Sequence, residues 1–268
     1  MIIHSRSNNQ VKKIRDQGRK GWPDSRGRIL IEGITLIEEA LKSSLEVDSF
    51  YVSEHTQKMR LLEELLKSSK LTQPAVIKLS EKVFGEISST ETPQGVSALV
   101  FLPKWNFKRI LIEDSLIILT HCLQDPGNLG TLLRSAEAFG VDAVVLSKNS
   151  VNPYNSKAVR ASAGSVFRVP CFPGWDFQAT LALFVENNFQ IYATSPGKGA
   201  CFRDIDYRGR VVLILGNEAR GLDIHILDQI KSRITIPIAN SVESLNVAVA
   251  SSIILCQAAE QRKTHNRD

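Results

Sequence analysis

The 268-residue sequence has no apolar run approaching the ~18 residues that cross a bilayer, so a helical membrane protein is excluded. Its start, Met1-Ile2-Ile3-His4-Ser5-Arg6, turns polar at the fourth residue with no apolar signal-peptide core behind it, and a cytoplasmic protein is expected. Cysteine is scarce: Cys122, Cys171, Cys201 and Cys256 lie at least 30 residues apart with no C-x-x-C pair, which argues against a zinc ribbon and a disulfide framework. Reduced, mostly buried thiols and no metal site are expected. Neither G-x-x-x-x-G-K-[ST] nor G-x-G-x-x-G occurs, which disfavours a phosphate-binding P-loop and a nicotinamide-dependent oxidoreductase. There is no internal repeat and no low-complexity tract.

What is present fits a soluble chain. A hydrophobic fraction of 43% and a charged fraction of 23% are those of globular proteins, and the length suggests two domains at roughly 150 residues each. The net charge of +5 is concentrated at one end. Residues 1 to 30 carry eight basic against two acidic side chains, a local +6, which leaves −1 for the other 238. Such a field draws a polyanion, and Ser5, Ser7, Asn8, Asn9 and Gln10 beside it can hydrogen-bond phosphate and sugar. A nucleic-acid surface and a merely solvated helix face are both compatible with this stretch. In the first reading Arg6, Asn8, Lys12, Lys13 and Arg15 are the RNA-binding candidates.

Apolar patterning divides the rest. Strands at 29–33, 50–52, 76–79 and 96–101, with helical periods near 34–41 and 59–66, make a small α/β domain over residues 1–103. Pro103-Lys104-Trp105-Asn106-Phe107 breaks the pattern and opens a linker, 104–114. Over 115–268, strands at 116–119, 143–146, 190–193, 211–215 and 233–236 alternate with helices at 129–139, 156–163, 179–185, 224–230 and 244–262. Continuous apolar strands between helices predict a parallel sheet covered on both faces, with ligands beyond the carboxyl ends of its strands.

Three loops at those ends stand out. In Gln124-Asp125-Pro126-Gly127-Asn128-Leu129-Gly130, Asn128 is either the N-cap of the following helix or a site residue, and Arg134 follows six residues on. In Leu215-Gly216-Asn217-Glu218-Ala219-Arg220-Gly221, Gly216 permits close approach of a ligand or a backbone, and Gly221 permits a positive φ. In the stretch from Ile236 to Asn246, Ser244 is the expected cap of the last helix, leaving Asn246 in its first turn. From Val247 to Ala259 that helix has small or apolar residues on every side, which close packing against other backbone or a second subunit would explain.

As an ordered set, N-x-G-x-x-x-R, G-N-E-x-x-G and I-P-x-x-x-x-x-E-S-L-N-V-x-V-A resemble the three motifs of the SpoU (TrmH) branch of the SPOUT RNA methyltransferases. The opening Ser5-x-x-Asn8-x-x-Val11-Lys12, with Leu30-Ile31-Glu32-Gly33 and Glu91-Thr92-Pro93-Gln94-Gly95, resembles the substrate-binding domain often fused ahead of them, itself similar to ribosomal RNA-binding proteins. The resemblance covers nearly the whole chain. Two positions depart from it: Asn240 stands where glycine is common, and Ala248 where serine often precedes Val249.

The resemblance implies an α/β fold with a C-terminal trefoil knot, a homodimer, and transfer of a methyl group from S-adenosyl-L-methionine to a ribose 2′-hydroxyl in structured RNA, ribosomal RNA before transfer RNA. The methyl donor would be held by Thr194, Gly216, Asn217, Gly221, Ile236, Ile238 and Leu245. Asn128, Arg134, Glu218, Ser244 and Asn246 would form the catalytic set. Arg134 would reach the hydroxyl across the dimer, either as base or as the group that orients hydroxyl and phosphate, since guanidinium rarely loses its proton. The rival from another class is an idle RNA-binding or ribosome-assembly factor that keeps the fold.

Overall fold

The computed structural model describes residues 2–68, 74–111, 114–197, 199–239 and 242–265. The departure at Asn240 therefore lies outside the described residues. The chain separates into two compact units, residues 1–104 with 154–167, and residues 105–153 with 168–268.

In the first unit the elements run β1 (Ile2–Ile3), α1 (Asn9–Lys20), β2 (Arg28–Glu32), α2 (Ile34–Lys42), β3 (Val47–Ser53), α3 (Met59–Ser68), β4 (Ala75–Leu79), α4 (Glu81–Ile87) and β5 (Val96–Phe101). The sheet order is β1-β4-β3-β5-β2, parallel from β1 through β4 to β3 and antiparallel on both sides of β5. The basic opening becomes a capped helix. Asn8 Oδ1 accepts from Gln10 N at 2.8 Å, Gly21 ends α1 at φ 65°, and Arg19 and Lys20 in the last turn complement the helix dipole. Val11 and Ile14 are its buried residues, packed with Val83, Phe84 and Ile87 of α4. The cap occupies the side-chain oxygen of Asn8 that the sequence offered to RNA.

The second unit contains β6 (Leu116–Thr120), α5 (Pro126–Ala138), β7 (Ala143–Ser147), β8 (Cys171–Trp175), α7 (Phe177–Glu186), β9 (Gln190–Thr194), β10 (Ala200–Cys201), β11 (Val211–Leu215), α8 (Ile224–Gln229), β12 (Ser232–Thr235) and α9 (Val247–His265). All seven strands are parallel, in the order β10-β12-β9-β11-β6-β7-β8. The central strands β6, β7 and β11 are buried along their whole length, the consequence of covering both faces of a parallel sheet. The chain steps outward from β6 through β7 to β8, returns to β9 on the far side, and fills the slot between β9 and β6 with β11. This change of direction places a switch point at the carboxyl ends of β6, β9 and β11.

Several boundaries differ from the sequence reading. Trp105 and Phe107, read as linker, pack on the core of the second unit, where the Phe107 ring stacks on Trp175 at 4.0 Å. Residues 154–167, including α6 (Ser156–Ala161), were read as part of the second domain but cluster with the first unit. Strand β8 was missed because Pro173 and Gly174 interrupt its pattern, which an edge strand tolerates. The thiols are all free, but Cys171 alone is buried; Cys122 and Cys201 are half-buried and Cys256 is exposed, so the expectation of mostly buried thiols fails.

Candidate active site

The site is assembled at the switch point from three loops. The first follows β6. His121 N donates to Leu215 O at 2.8 Å, continuing the β6–β11 pairing, and Cys122 then takes φ 55° to turn the chain away. Asp125 is the N-cap of α5, its Oδ1 accepting from Asn128 N at 2.8 Å, with Pro126 at the first helical position. Asn128 is thus a third helical residue and not the cap, so its side-chain amide is available to the site.

The second loop follows β11. Asn217 N donates to Gly221 O and Gly221 N to Asn217 O, both at 2.9 Å, closing a tight loop on itself. A Cβ on Gly216 would stand 2.3 Å from the carbonyl carbon of Gly221, so only glycine fits there. The close approach inferred from sequence is made by backbone, and Gly221 takes the expected positive φ of 67°. Asn217 Oδ1 accepts from Ala219 N and Arg220 N, while its Nδ2 donates to Cys122 O at 2.8 Å and ties this loop to the first.

The third loop leads from β12 into α9. Asn246, not Ser244, caps that helix: its Oδ1 accepts from Ala248 N at 2.9 Å and its carbonyl from Ala250 N. Ser244 lies exposed before the helix. The expectation that Ser244 caps the helix and leaves Asn246 in its first turn is corrected, since Asn246 takes the cap position, where asparagine is favoured.

Glu218 joins the second loop to the first. Its carboxylate accepts from Asp125 N at 2.8 Å, Gln124 N at 3.2 Å, Asn128 Nδ2 at 3.3 Å and Asn217 Nδ2 at 3.4 Å. Asn246 Nδ2 donates to Asn128 Oδ1 at 2.9 Å. Glu218, Asn128 and Asn246 form one connected network. The backbone N–H groups of Gln124 and Asp125 are part of it, and sequence reasoning missed them because a main-chain donor carries no residue signature.

Beside this network lies a cavity of about 480 Å³. Thr194, Gly216, Asn217, Gly221, Ile236, Ile238 and Leu245 all line it, as do Glu218 and Ser244. Residues not singled out from sequence add to the lining, among them Pro196, Leu222, Ala250 and Ile254. The Thr194 hydroxyl donates to Ile214 O at 3.0 Å, which fixes the end of β9 against β11. Arg134 does not line the cavity; it sits exposed on α5, whose neighbour is α9 through Ser135 Oγ and Ser252 Oγ at 2.7 Å. Among the described residues, no group of three or more His, Cys, Asp or Glu side chains could hold a metal ion. Nor is any helix among them long and apolar enough to cross a membrane.

A parallel sheet whose switch point carries a largely apolar cavity beside a network of amides and one carboxylate is an α/β domain with a hollow of small-molecule size next to a polar cluster. Residues 115–256 match the model of the SpoU rRNA Methylase family, and the chain belongs to that family. Residues 8–98 match the MRM3-like substrate binding domain. The chain is 33% identical over 257 residues to a 23S rRNA (guanosine(2553)-2′-O)-methyltransferase, RlmP, of Bacillus subtilis, covering 94% of this chain and 97% of that one. It is 27% identical over 298 residues to the mitochondrial rRNA methyltransferase 3 of Mus musculus, covering 91% and 70%. An AdoMet-bound rRNA methyltransferase from Sinorhizobium meliloti has the same fold, with a TM-score of 0.80, 27% identity and 97% of each chain covered. The SpoU methyltransferase AviRb from Streptomyces viridochromogenes, in complex with AdoMet, superposes with a TM-score of 0.81 at 25% identity, covering 96% and 99%.

Proposed function

We propose that this chain transfers the methyl group of S-adenosyl-L-methionine to a ribose 2′-hydroxyl of ribosomal RNA. The observation that carries the proposal is one cavity lined by the second and third motif loops, to which the first loop is tied through the Glu218–Asn128–Asn246 network. The lining fits the methyl donor. Its volume of about 480 Å³ lies within the ~300–1,000 Å³ of small-molecule sites. Ile236, Ile238, Leu245 and Leu222 offer apolar surface to a base, and the carboxylates of Glu218 and Glu243 offer negative charge to a cationic ligand. When bound, the donor supplies an already activated sulfonium methyl.

The work left to the protein is alignment of a poor nucleophile and help with its proton. Asn128 and Asn246 hold the first and third loops together, and Glu218 fixes the second against the first, so the cavity wall is set before a ligand arrives. Ser244 presents a hydroxyl at the cavity edge. Arg134 orients the ribose hydroxyl and the adjacent phosphate by its charge and planar donors; a permanently cationic side chain suits that role better than proton abstraction. Because Arg134 stands outside the cavity of its own chain, the reading includes a homodimer in which Arg134 of one copy serves the other. Supporting this, α9 leaves Val249 and Cys256 exposed although it is apolar or small on nearly every side.

A trefoil knot at the C-terminus belongs to the same reading, supported by the late insertion of β11 between β9 and β6 and by the family. The first unit would hold the RNA, with Arg6, Lys12, Lys13 and Arg15 on or beside α1, and a ribosomal RNA substrate supports the cytoplasmic placement expected from sequence. The test is calorimetric titration with S-adenosylmethionine and with NAD, followed by methylation of ribosomal RNA transcripts and mapping of the modified ribose. Micromolar affinity for the methyl donor, roughly −8 kcal/mol, and a single 2′-O-methylated nucleotide are expected. No binding of the donor with or without RNA would leave an idle RNA-binding factor.

A further inference from the structure

Two adjoining hollows indent the first unit and share Gly18, Ile87, Ser89 and Ser156. The larger, about 380 Å³, is bordered by Arg15 and Arg19 of α1 and by the Ser88–Ser89 turn that follows α4. The smaller adds Arg160 of α6. Gly18 keeps the wall thin: a Cβ there would already stand 3.2 Å from Leu30 Cδ2.

The carboxylates at this place are matched by other donors. Glu32 accepts from Ser88 Oγ at 2.7 Å, Ser89 N at 2.8 Å and Thr90 Oγ1 at 2.9 Å, which also fixes the turn. Glu86 pairs with Arg6 at 3.1 Å. The Arg15 guanidinium, by contrast, approaches Glu86 and Asp16 no closer than 3.9 Å, and its Nε is buried with no hydrogen-bond partner. Arg160 donates one bond, Nη1 to Ser89 Oγ at 2.8 Å, out of the five N–H groups an arginine carries. Arg19 is exposed. Two guanidinium groups thus border the larger hollow and a third the smaller one adjoining it, and the acidic neighbours of both are already engaged.

We propose that this hollow is a subsite for a backbone phosphate of the RNA substrate, bound between Arg15 and Arg19 of α1 and Arg160 of α6. Planar guanidinium forks match phosphate oxygens, whereas no aromatic ring lines the hollow on which a base could stack. The subsite rests on the RNA methyltransferase reading and refines it: Lys12 and Lys13, exposed on the same helix, supply the attracting field, and the hollow fixes the register of the strand.

The test is the salt dependence of binding to a ribosomal RNA transcript, measured for the wild type and for Arg19→Ala, Arg160→Ala, Arg19→Lys and Arg60→Ala. Arg60 lies on α3 with its side chain 91% exposed and serves as a control for the general field. Each alanine variant at the hollow is expected to reduce the slope of log K against log salt by about 0.7 to 0.9. Arg19→Lys and Arg60→Ala are expected to keep the wild-type slope, and all variants to bind S-adenosylmethionine as the wild type does, which also reports that they fold. Unchanged slopes in both hollow variants, or an equal loss in Arg60→Ala, would overturn the subsite while leaving the methyltransferase reading intact. A wild type that binds the methyl donor but no ribosomal RNA at any salt would overturn the ribosomal RNA reading, and the subsite with it.

Discussion

Asn246 Nδ2 donates to Asn128 Oδ1 at 2.9 Å, joining the start of α9 to the first turn of α5 across 118 residues of chain. The bond works because a different residue caps α5 and because Asn246 caps α9 with only one end of its amide. Asp125 caps α5, which releases Asn128, and Asn246 caps α9 with its oxygen while its nitrogen remains a donor. Replacing Asn246 by serine keeps a capping oxygen and removes the donor; replacing it by alanine removes both. Asn246→Ala is expected to be less stable than Asn246→Ser by about 1 kcal/mol in urea unfolding. A double-mutant cycle of Asn128→Ala with Asn246→Ser should return a coupling of about 0.5–1.5 kcal/mol, and strict additivity would show that the bond contributes nothing.

Glu218 makes a second prediction. Its carboxylate faces donors only: two backbone N–H groups and two side-chain amides. In Glu218→Gln one of the two oxygens becomes an NH₂ group set against those donors, at a cost of about 1–3 kcal/mol. Residues 124–128 should then exchange their amide hydrogens faster while the strands of the sheet keep their protection. Unaltered exchange over 124–128 would mean that Glu218 does not hold this loop.

Gly216→Ala is expected to lower S-adenosylmethionine affinity by more than tenfold and to destabilise the second unit. The added Cβ would meet the Gly221 carbonyl carbon at 2.3 Å and Leu222 N at 2.5 Å, and backbone atoms cannot turn aside as a flexible side chain can. The loop must shift, and Gly221 and Leu222 line the cavity. Titration calorimetry of the variant checks this, with wild-type affinity as the contrary outcome.

Much of the second unit was legible because its strands are buried apolar runs and its three loops carry rare residue types at fixed spacing. Leu116–Thr120 and Val211–Leu215 are continuous strands in sequence and in structure alike. Gly216 and Gly221 could be read because a forbidden Cβ and a positive φ each leave one acceptable residue. What was not legible depends on choices between equivalent groups. Asp125 and Asn128 are both good caps, as are Ser244 and Asn246, and local propensity does not choose between them; the folded chain caps with Asp125 and Asn246 and joins Asn246 to Asn128. The network around Glu218 is half main chain, which no sequence pattern marks. The edge strand Cys171–Trp175 contains a proline and a glycine that read as loop, and Trp105 reads as linker until its packing is seen.

Arg134 stands exposed on α5, away from the cavity of its own chain. Arg134→Ala should therefore abolish methylation while leaving S-adenosylmethionine affinity and thermal stability near wild type. Arg134→Lys separates the two roles open to it: lysine keeps the charge but not the planar fork, so partial turnover favours charge stabilisation. If Arg134 serves the other subunit, mixing Arg134→Ala with Glu218→Gln should restore activity through heterodimers, to about a quarter of wild type on random mixing when each dimer has two sites and each chain lends one residue to each. Full turnover by Arg134→Ala alone would remove it from the mechanism.

The last prediction concerns pH. His121 sits at the end of β6 with its ring edge toward Phe177, centroids 4.7 Å apart, and its Nδ1 buried without a hydrogen-bond partner. Burial disfavours the charged ring and lowers its pKa below the ordinary 6.5, although Asp223 pulls in the opposite direction. As pH falls through 6.5, the unfolded chain takes up a proton on this ring before the folded one does, so protonation favours unfolding. The contribution of neutral His121 is intact above that pH and is lost progressively down to the depressed folded value. The melting temperature of the wild type should drop more between pH 7 and pH 5 than that of His121→Gln, whose side chain does not titrate. Because the same residue begins the loop that turns at Cys122 into the active site, that fall should be accompanied by lower protection factors over residues 121–125, with exchange rates referred to the intrinsic rate at each pH. Parallel pH profiles for the two proteins would show that the ring titrates alike in the folded and unfolded chain.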